Sequence, residues 1–118
     1  MQAFKKVSTK PLTEWLVIIH DKPGDRSKIR PEHLKKAAIP MIEGRVTNCG
    51  AVLNKLPKDD NEKLDFAGSS YNILAESKEE IIEFLKKDPF AINGIWDFNN
   101  IIIYPYNCFA RIGKDIPQ

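Results

Sequence analysis

The chain has 118 residues, 42% of them apolar and 29% charged, with a formal net charge of +2. That is one domain with enough apolar surface for a core, and its even charge gives no ground for a nucleic-acid partner or an anionic membrane surface. Cys49 and Cys108 stand far apart and outside any CxxC, which argues against a disulfide framework and supplies no metal-ligand spacing.

The opening stretch MQAFKKVSTKPL is basic and free of acids, as transit peptides are. It is short and interrupted by Pro11, so residues 1–13 read as a flexible basic tail. Residues 14–106 form the domain and 107–118 a C-terminal extension. Residues 14–20 contain WLVII, β-branched and aromatic, and end at the turn signal DKPGD, which predicts a strand. Trp15, Val17 and Ile19 fall on one face, Leu16 and Ile18 on the other, so both faces need cover.

A helix is expected over 31–39, with Pro31 at its first position, Pro40 bending or ending it and Gly44 closing the segment. Strands follow at 45–54 and 67–75, separated by the polar loop KLPKDDNEKLD. Ser77 to Glu80 reads as a capping box that starts a second helix, with Lys86 and Lys87 at its negative end. Asp88-Pro89 stops that helix. Residues 100–104, NIIIY, give the last strand.

The order β-α-β-β-α-β implies an α+β, ferredoxin-like fold: a four-stranded antiparallel sheet with two helices on one face. Helices then cover one side only. A second copy of the chain, packed sheet to sheet, is the economical cover for the other, so a homodimer is expected and higher homo-oligomers stay open. No apolar run approaches the roughly twenty residues of a membrane span, and the two cysteines read as reduced thiols, which together suggest a cytoplasmic protein.

Two residues stand out as chemistry. At about 100° per residue, His33, Leu34 and Ala37 share the stripe of the first helix that faces the sheet. A partly buried imidazole needs a hydrogen-bond partner, and a structural histidine satisfies the pattern as well as a catalytic one. Asp88 meets the negative end of a helix, which costs about 0.3–1 kcal/mol. It either caps the following DPFAING turn or serves a reaction, and the two roles are compatible. His20 and Asp21 are too thin a set for a metal site, and no metal or cofactor is expected. The RNA-recognition module shares this element order, but its aromatic-rich third strand is missing from GSSYNILA.

At these residues the chain resembles the YciI-like (YCII-related domain) family, over about residues 15–106. The pieces recur in order: DKPG at 21–24, RPEHL at 30–34, EGR at 43–45, a Gly50 turn, GS at 68–69, ES-x-EE at 76–80, DPF at 88–90, GIW at 94–96 and YPY at 104–106. The resemblance implies a dimeric α/β-barrel fold and a histidine–aspartate active-site pair, carried here by His33 and Asp88. It further implies Arg30 as an anion contact and Ser69 as a hydrogen-bond donor to ligand or dyad. Gly50-Ala51 stands where relatives have Gly-Pro, and Tyr104-Pro105-Tyr106 where they have basic-Pro-aromatic, so substrate identity does not carry over.

The expectation is a small cofactor-independent enzyme, isomerase- or lyase-like, that moves a proton on a small organic acid or ring compound. His33 would be the acid or base, Asp88 its orienter and Arg30 the anchor for an anionic group. His20, Tyr71, Trp96 and Tyr104 are candidates for the pocket wall, with core packing the plain alternative for the three aromatics. A non-catalytic ligand-binding or regulatory dimer is the competing expectation.

Overall fold

A computed structural model describes residues 11–113 of the chain. In chain order the elements are β1 (Thr13–His20), α1 (Arg30–Ile42), β2 (Val46–Leu53), β3 (Phe66–Ala75), α2 (Lys78–Lys86), α3 (Pro89–Ile92) and β4 (Ile102–Pro105). A 3-10 turn at Phe98–Asn100 precedes β4. The strands form one antiparallel sheet in the order β2-β3-β1-β4. The ferredoxin-like expectation holds, with a third short helix added. The expected N-terminal tail lies almost wholly outside the described residues.

Alternation along the strands divides the sheet into two faces. Val17 and Ile19 of β1 stand opposite Tyr71 and Ser69 of β3, and all four are buried. Val46 of β2, Ile73 and Ala75, then Ile81 and Leu85 from α2, Phe90 from α3, Trp96 and Ile103 complete the core on that side. On the other side Leu16 lies beside Tyr104 and Ile18 beside Ile102. Within one chain Leu16, Ile18 and Ile102 stay partly exposed, and Tyr104 is exposed.

Several boundaries differ from expectation. α1 begins at Arg30, with Ile29 as an N-cap that makes no side-chain bond, and runs through Pro40 to Ile42. A proline costs the helix one hydrogen bond, but Pro40 is buried, and the packing of its ring offsets that loss. Gly44 ends the segment at φ 76°, a left-handed conformation suited to glycine. The inward stripe is His33, Ala37 and Pro40, while Leu34 is 51% exposed. The expected stripe was therefore right for His33 and Ala37 and wrong for Leu34, since the helix presents its i, i+4, i+7 row to the sheet.

α2 starts as expected at Ser77, whose Oγ accepts from Glu80 N at 3.2 Å. The returning Glu80 carboxylate, however, accepts from Glu76 N rather than from the cap residue, at 3.0 Å, and pairs with Arg45 at 2.6 Å. The last strand starts two residues later than expected because Asp97 accepts from Asn99 N and from the Asn100 side chain, both at 2.9 Å, and holds 98–100 in a turn. Gly68 has a steric reason. A Cβ there would lie 2.4 Å from Ile19 O and 2.9 Å from His20 Cα, so β1 and β3 approach closely only because the side chain is absent. Among the described residues no helix is long and apolar enough to cross a membrane.

Candidate functional site

Helices α1 and α3 meet over the helix-covered face of the sheet. His33, in the first turn of α1, points inward and is 8% exposed. Asp88 is the N-cap of α3: its Oδ1 accepts from Phe90 N at 2.9 Å. The same carboxylate receives His33 Nδ1 at 2.8 Å to Oδ1 and 2.9 Å to Oδ2. Cap and partner are thus one residue. A carboxylate only accepts, so Nδ1 carries the proton and Nε2 of the neutral ring keeps its lone pair.

Aromatic side chains enclose the imidazole. It stacks on Phe90 with ring centroids 4.1 Å apart and planes 18° from parallel, and it meets Trp96 edge-on at 5.9 Å. Trp96 is placed by the chain after α3, which continues the sheet beyond β1: Lys22 N donates to Ile95 O at 2.7 Å and Asp97 N to His20 O at 2.8 Å. Tyr71 projects from β3 and contacts Trp96 at 6.2 Å and Phe84 at 6.3 Å, both edge-on. Burial, then the charges of Asp88 and Cys49, hold the Tyr71 phenol well above its ordinary range, with Arg26 pulling the other way. The hydroxyl is a neutral donor that feels both Asp88 and Arg26.

The sequence reading missed Arg26. It lies just past the DKPG turn and is 3% exposed. Its Nε and Nη2 grip Asp21 at 2.9 and 2.7 Å, and Nη2 also donates to Ser69 Oγ at 2.9 Å. The guanidinium lies 4.2 Å from the Phe90 centroid and 5.0 Å from that of Phe66. Phe90 therefore touches both the histidine and the arginine. The one available signal was an aspartate and an arginine five apart across a Pro-Gly turn, a spacing that folds one back onto the other.

The remaining candidates divide. Ser69, facing inward opposite Ile19, joins the Arg26 cluster. Arg30 is half-buried, with its guanidinium 5.4 Å from the Phe66 centroid. His20 is exposed at the end of β1, and its charge acts on Asp97, away from the dyad. Asp21 has both oxygens on Arg26, so it does not join His20 in a metal site. No group of three His, Cys, Asp or Glu residues among those described could hold a metal ion.

Access to solvent is selective. Trp96 Nε1 alone, among the described side chains, is both sealed from solvent and without a hydrogen-bond partner. His33 Nε2, Tyr71 Oη and Arg26 Nη1 also have no partner among the described residues, so each keeps some opening to solvent within an otherwise buried residue. Polar atoms left unpaired in this way are what a ligand can satisfy.

Comparison with known proteins places this arrangement among relatives. The family model for the YCII-related domain matches residues 13–104. Fusaric acid biosynthesis protein 2 of Gibberella fujikuroi is 37% identical over 98 residues, which cover 80% of this chain and 93% of that protein. Aspartate kinase FUB3 of Fusarium oxysporum f. sp. lycopersici is also 37% identical over 98 residues, but the chain spans only 18% of its length. A solved structure of 5-chloro-2-hydroxyhydroquinone dehydrochlorinase (TftG) from Burkholderia phenoliruptrix AC1100, in complex with 2,5-dihydroxybenzoquinone, is similar with a TM-score of 0.62. Its identity to this chain is 25%, over 80% of this chain and 93% of that one.

Proposed function

The chain belongs to the YCII-related domain family, and from that premise we propose that it is a small enzyme that moves a proton on a ring compound or small organic acid. The observation that carries the reading is His33 Nδ1 held by both oxygens of Asp88 while Nε2 stays unpaired. In this scheme Nε2 takes a proton from a carbon or hydroxyl of the substrate. The electron pair left behind forms a new double bond, and either a leaving group departs with its own pair or the proton returns at a neighbouring carbon. The imidazolium is stabilised by Asp88 in a site screened by Phe90 and Trp96, where the charge pair is stronger than in water. The scheme calls on no metal or redox group.

Two comparisons support the substrate class. TftG is a dehydrochlorinase whose structure holds a dihydroxybenzoquinone, and loss of HCl from a hydroxylated ring is a proton transfer coupled to departure of an anion. The Gibberella relative is named for the biosynthesis of a small acid. The working unit in this reading is a homodimer joined through the outer sheet face, where Leu16, Ile18 and Ile102 are partly exposed and Tyr104 is exposed.

One observation favours a second reading. The side chains of His33 and Asp88 are only 10% and 11% exposed, a degree of cover that also suits a protein that binds a ligand without turning it over. The test is incubation in deuterium oxide with a panel of halogenated hydroquinones and hydroxylated ring acids, followed by mass spectrometry. Halide release or deuterium uptake should occur with the wild type and be lost with His33→Gln. Turnover that survives His33→Gln removes the dyad as the catalyst. Binding with no turnover by any protein selects the second reading.

A further inference from the structure

Arg26 is more elaborately held than a structural arginine needs to be. Three of the five N–H donors of its guanidinium are used, two on Asp21 and one on Ser69. The two on Nη1 have no acceptor among the described residues, although the residue is 3% exposed. Those two donors keep a narrow opening to solvent, where a ligand oxygen can replace water.

The surroundings prepare such a partner's place. Asp21 fixes one edge of the guanidinium side-on, and Phe90 and Phe66 hold its plane, so the opposite edge cannot swing away. Ser69, having accepted from Nη2, keeps its own O–H to donate. Nη1 shares Cζ with Nη2, so an oxygen beside Ser69 is placed to meet donors from both residues. The Tyr71 phenol adds a second neutral donor within the fields of both Arg26 and Asp88. Phe90 packs against both His33 and Arg26, which ties the dyad and the guanidinium to one aromatic ring.

We infer that Arg26 and Ser69 form the anion subsite of this pocket, taking a carboxylate or ionised enol or phenol oxygen on the ring whose proton His33 moves. Arg30 does not take that role: it is half-buried against Phe66, more open to water than Arg26, and makes no hydrogen bond to Ser69 or to the dyad among the described residues. A planar fork in a largely buried site is the stronger anion partner. This inference rests on the proton-transfer reading for its substrate class.

The test is calorimetric titration of benzoate and of its neutral counterpart benzamide into wild type, Arg26→Lys, Ser69→Ala, Arg30→Gln and His33→Gln, with a thermal melt for each. Wild type should prefer benzoate by about tenfold or more, the size of one charge-assisted hydrogen bond. Arg26→Lys keeps the charge beside Asp21 but loses the fork. It should remove most of the preference, and Ser69→Ala a smaller part, with benzamide changed less than about twofold. Should Arg26→Lys fail to fold, Ser69→Ala and Arg30→Gln decide the matter. A wild type without preference, a preference that survives in both Arg26→Lys and Ser69→Ala, or one lost in Arg30→Gln overturns the assignment. His33→Gln separates the two readings: benzoate preference retained while no protein turns over any substrate leaves the anion subsite standing and removes the proton-transfer scheme.

Discussion

Asp88 performs two tasks with one carboxylate, and substitution can separate them. Asparagine caps helices as well as aspartate does, so Asp88→Asn should keep the bond to Phe90 N and melt within about 1 kcal/mol of the wild type. It would, however, set an amide against Nδ1–H and lose the charge that offsets the imidazolium, lowering turnover by about 10²- to 10⁴-fold. Asp88→Ala should add the loss of the cap, about 1 kcal/mol by thermal melting. Equal turnover in Asp88→Asn and wild type would leave the residue as a cap alone. Tyr71 gives a second check. Burial favours its protonated form, so the folded protein keeps that proton at pH values where the unfolded chain has released it. The stability this represents is complete below the unfolded value near 10 and declines as pH rises past it. Absorbance at 295 nm should therefore rise in two steps, the later one coinciding with unfolding and absent in Tyr71→Phe; a single step would contradict the burial. His33 and Asp88 were legible because each carries a local signature, an inward helical position and a DP cap. Arg26 was not. Its burial depends on Phe66 and Phe90, forty and more residues away, and DKPGDR by itself reads as an ordinary polar turn.

At the scale of elements, the pairing of β1 with β3 positions half of the site, because Ser69 is fixed by its register opposite Ile19. Gly68 permits that pairing. Gly68→Ala would drive a methyl group into the backbone of Ile19 and His20, and backbone cannot rotate out of the way as a side chain can. The expected cost is about 1–3 kcal/mol in a denaturant titration, with weaker ligand binding as Ser69 moves. A neutral effect would mean that the strands are less closely held than described. Ser77→Ala removes the Oγ bond at the start of α2 and should cost about 1 kcal/mol with no change in ligand affinity, since α2 contributes packing and no site atom. The elements themselves were legible from capping residues, prolines and alternation. The misjudged points were those that tertiary contact decides: Pro40 stays helical because it is buried, and Leu34 turns outward because of how α1 lies on the sheet.

The whole molecule leaves one question of cover. A sheet with helices on one side and Leu16, Ile18, Ile102 and Tyr104 on the other exposes apolar surface that a second copy can bury by packing sheet on sheet at about 10 Å. Ser70 and Asn72 on the same face are small or polar, while Leu74 of β3 and Val52 of β2 extend the apolar surface at its margins. A stable interface of this kind needs roughly 800 Å² from each partner, more than four side chains supply, so neighbouring parts of the face must join in. Ile18 lies in the middle of the strip, between Ser70 and Ile102. Ile18→Glu would bring two carboxylates into the same apolar contact, a cost of several kcal/mol that a dimer of modest area does not survive. Sedimentation at about 10 µM should then show a dimer for the wild type and a monomer for Ile18→Glu, with helix content unchanged. Ile92→Glu, on the exposed surface of α3 among the helices, should leave the dimer intact. A wild-type monomer would remove the dimer altogether. Dissociation by Ile92→Glu but not by Ile18→Glu would move the interface to the helical side.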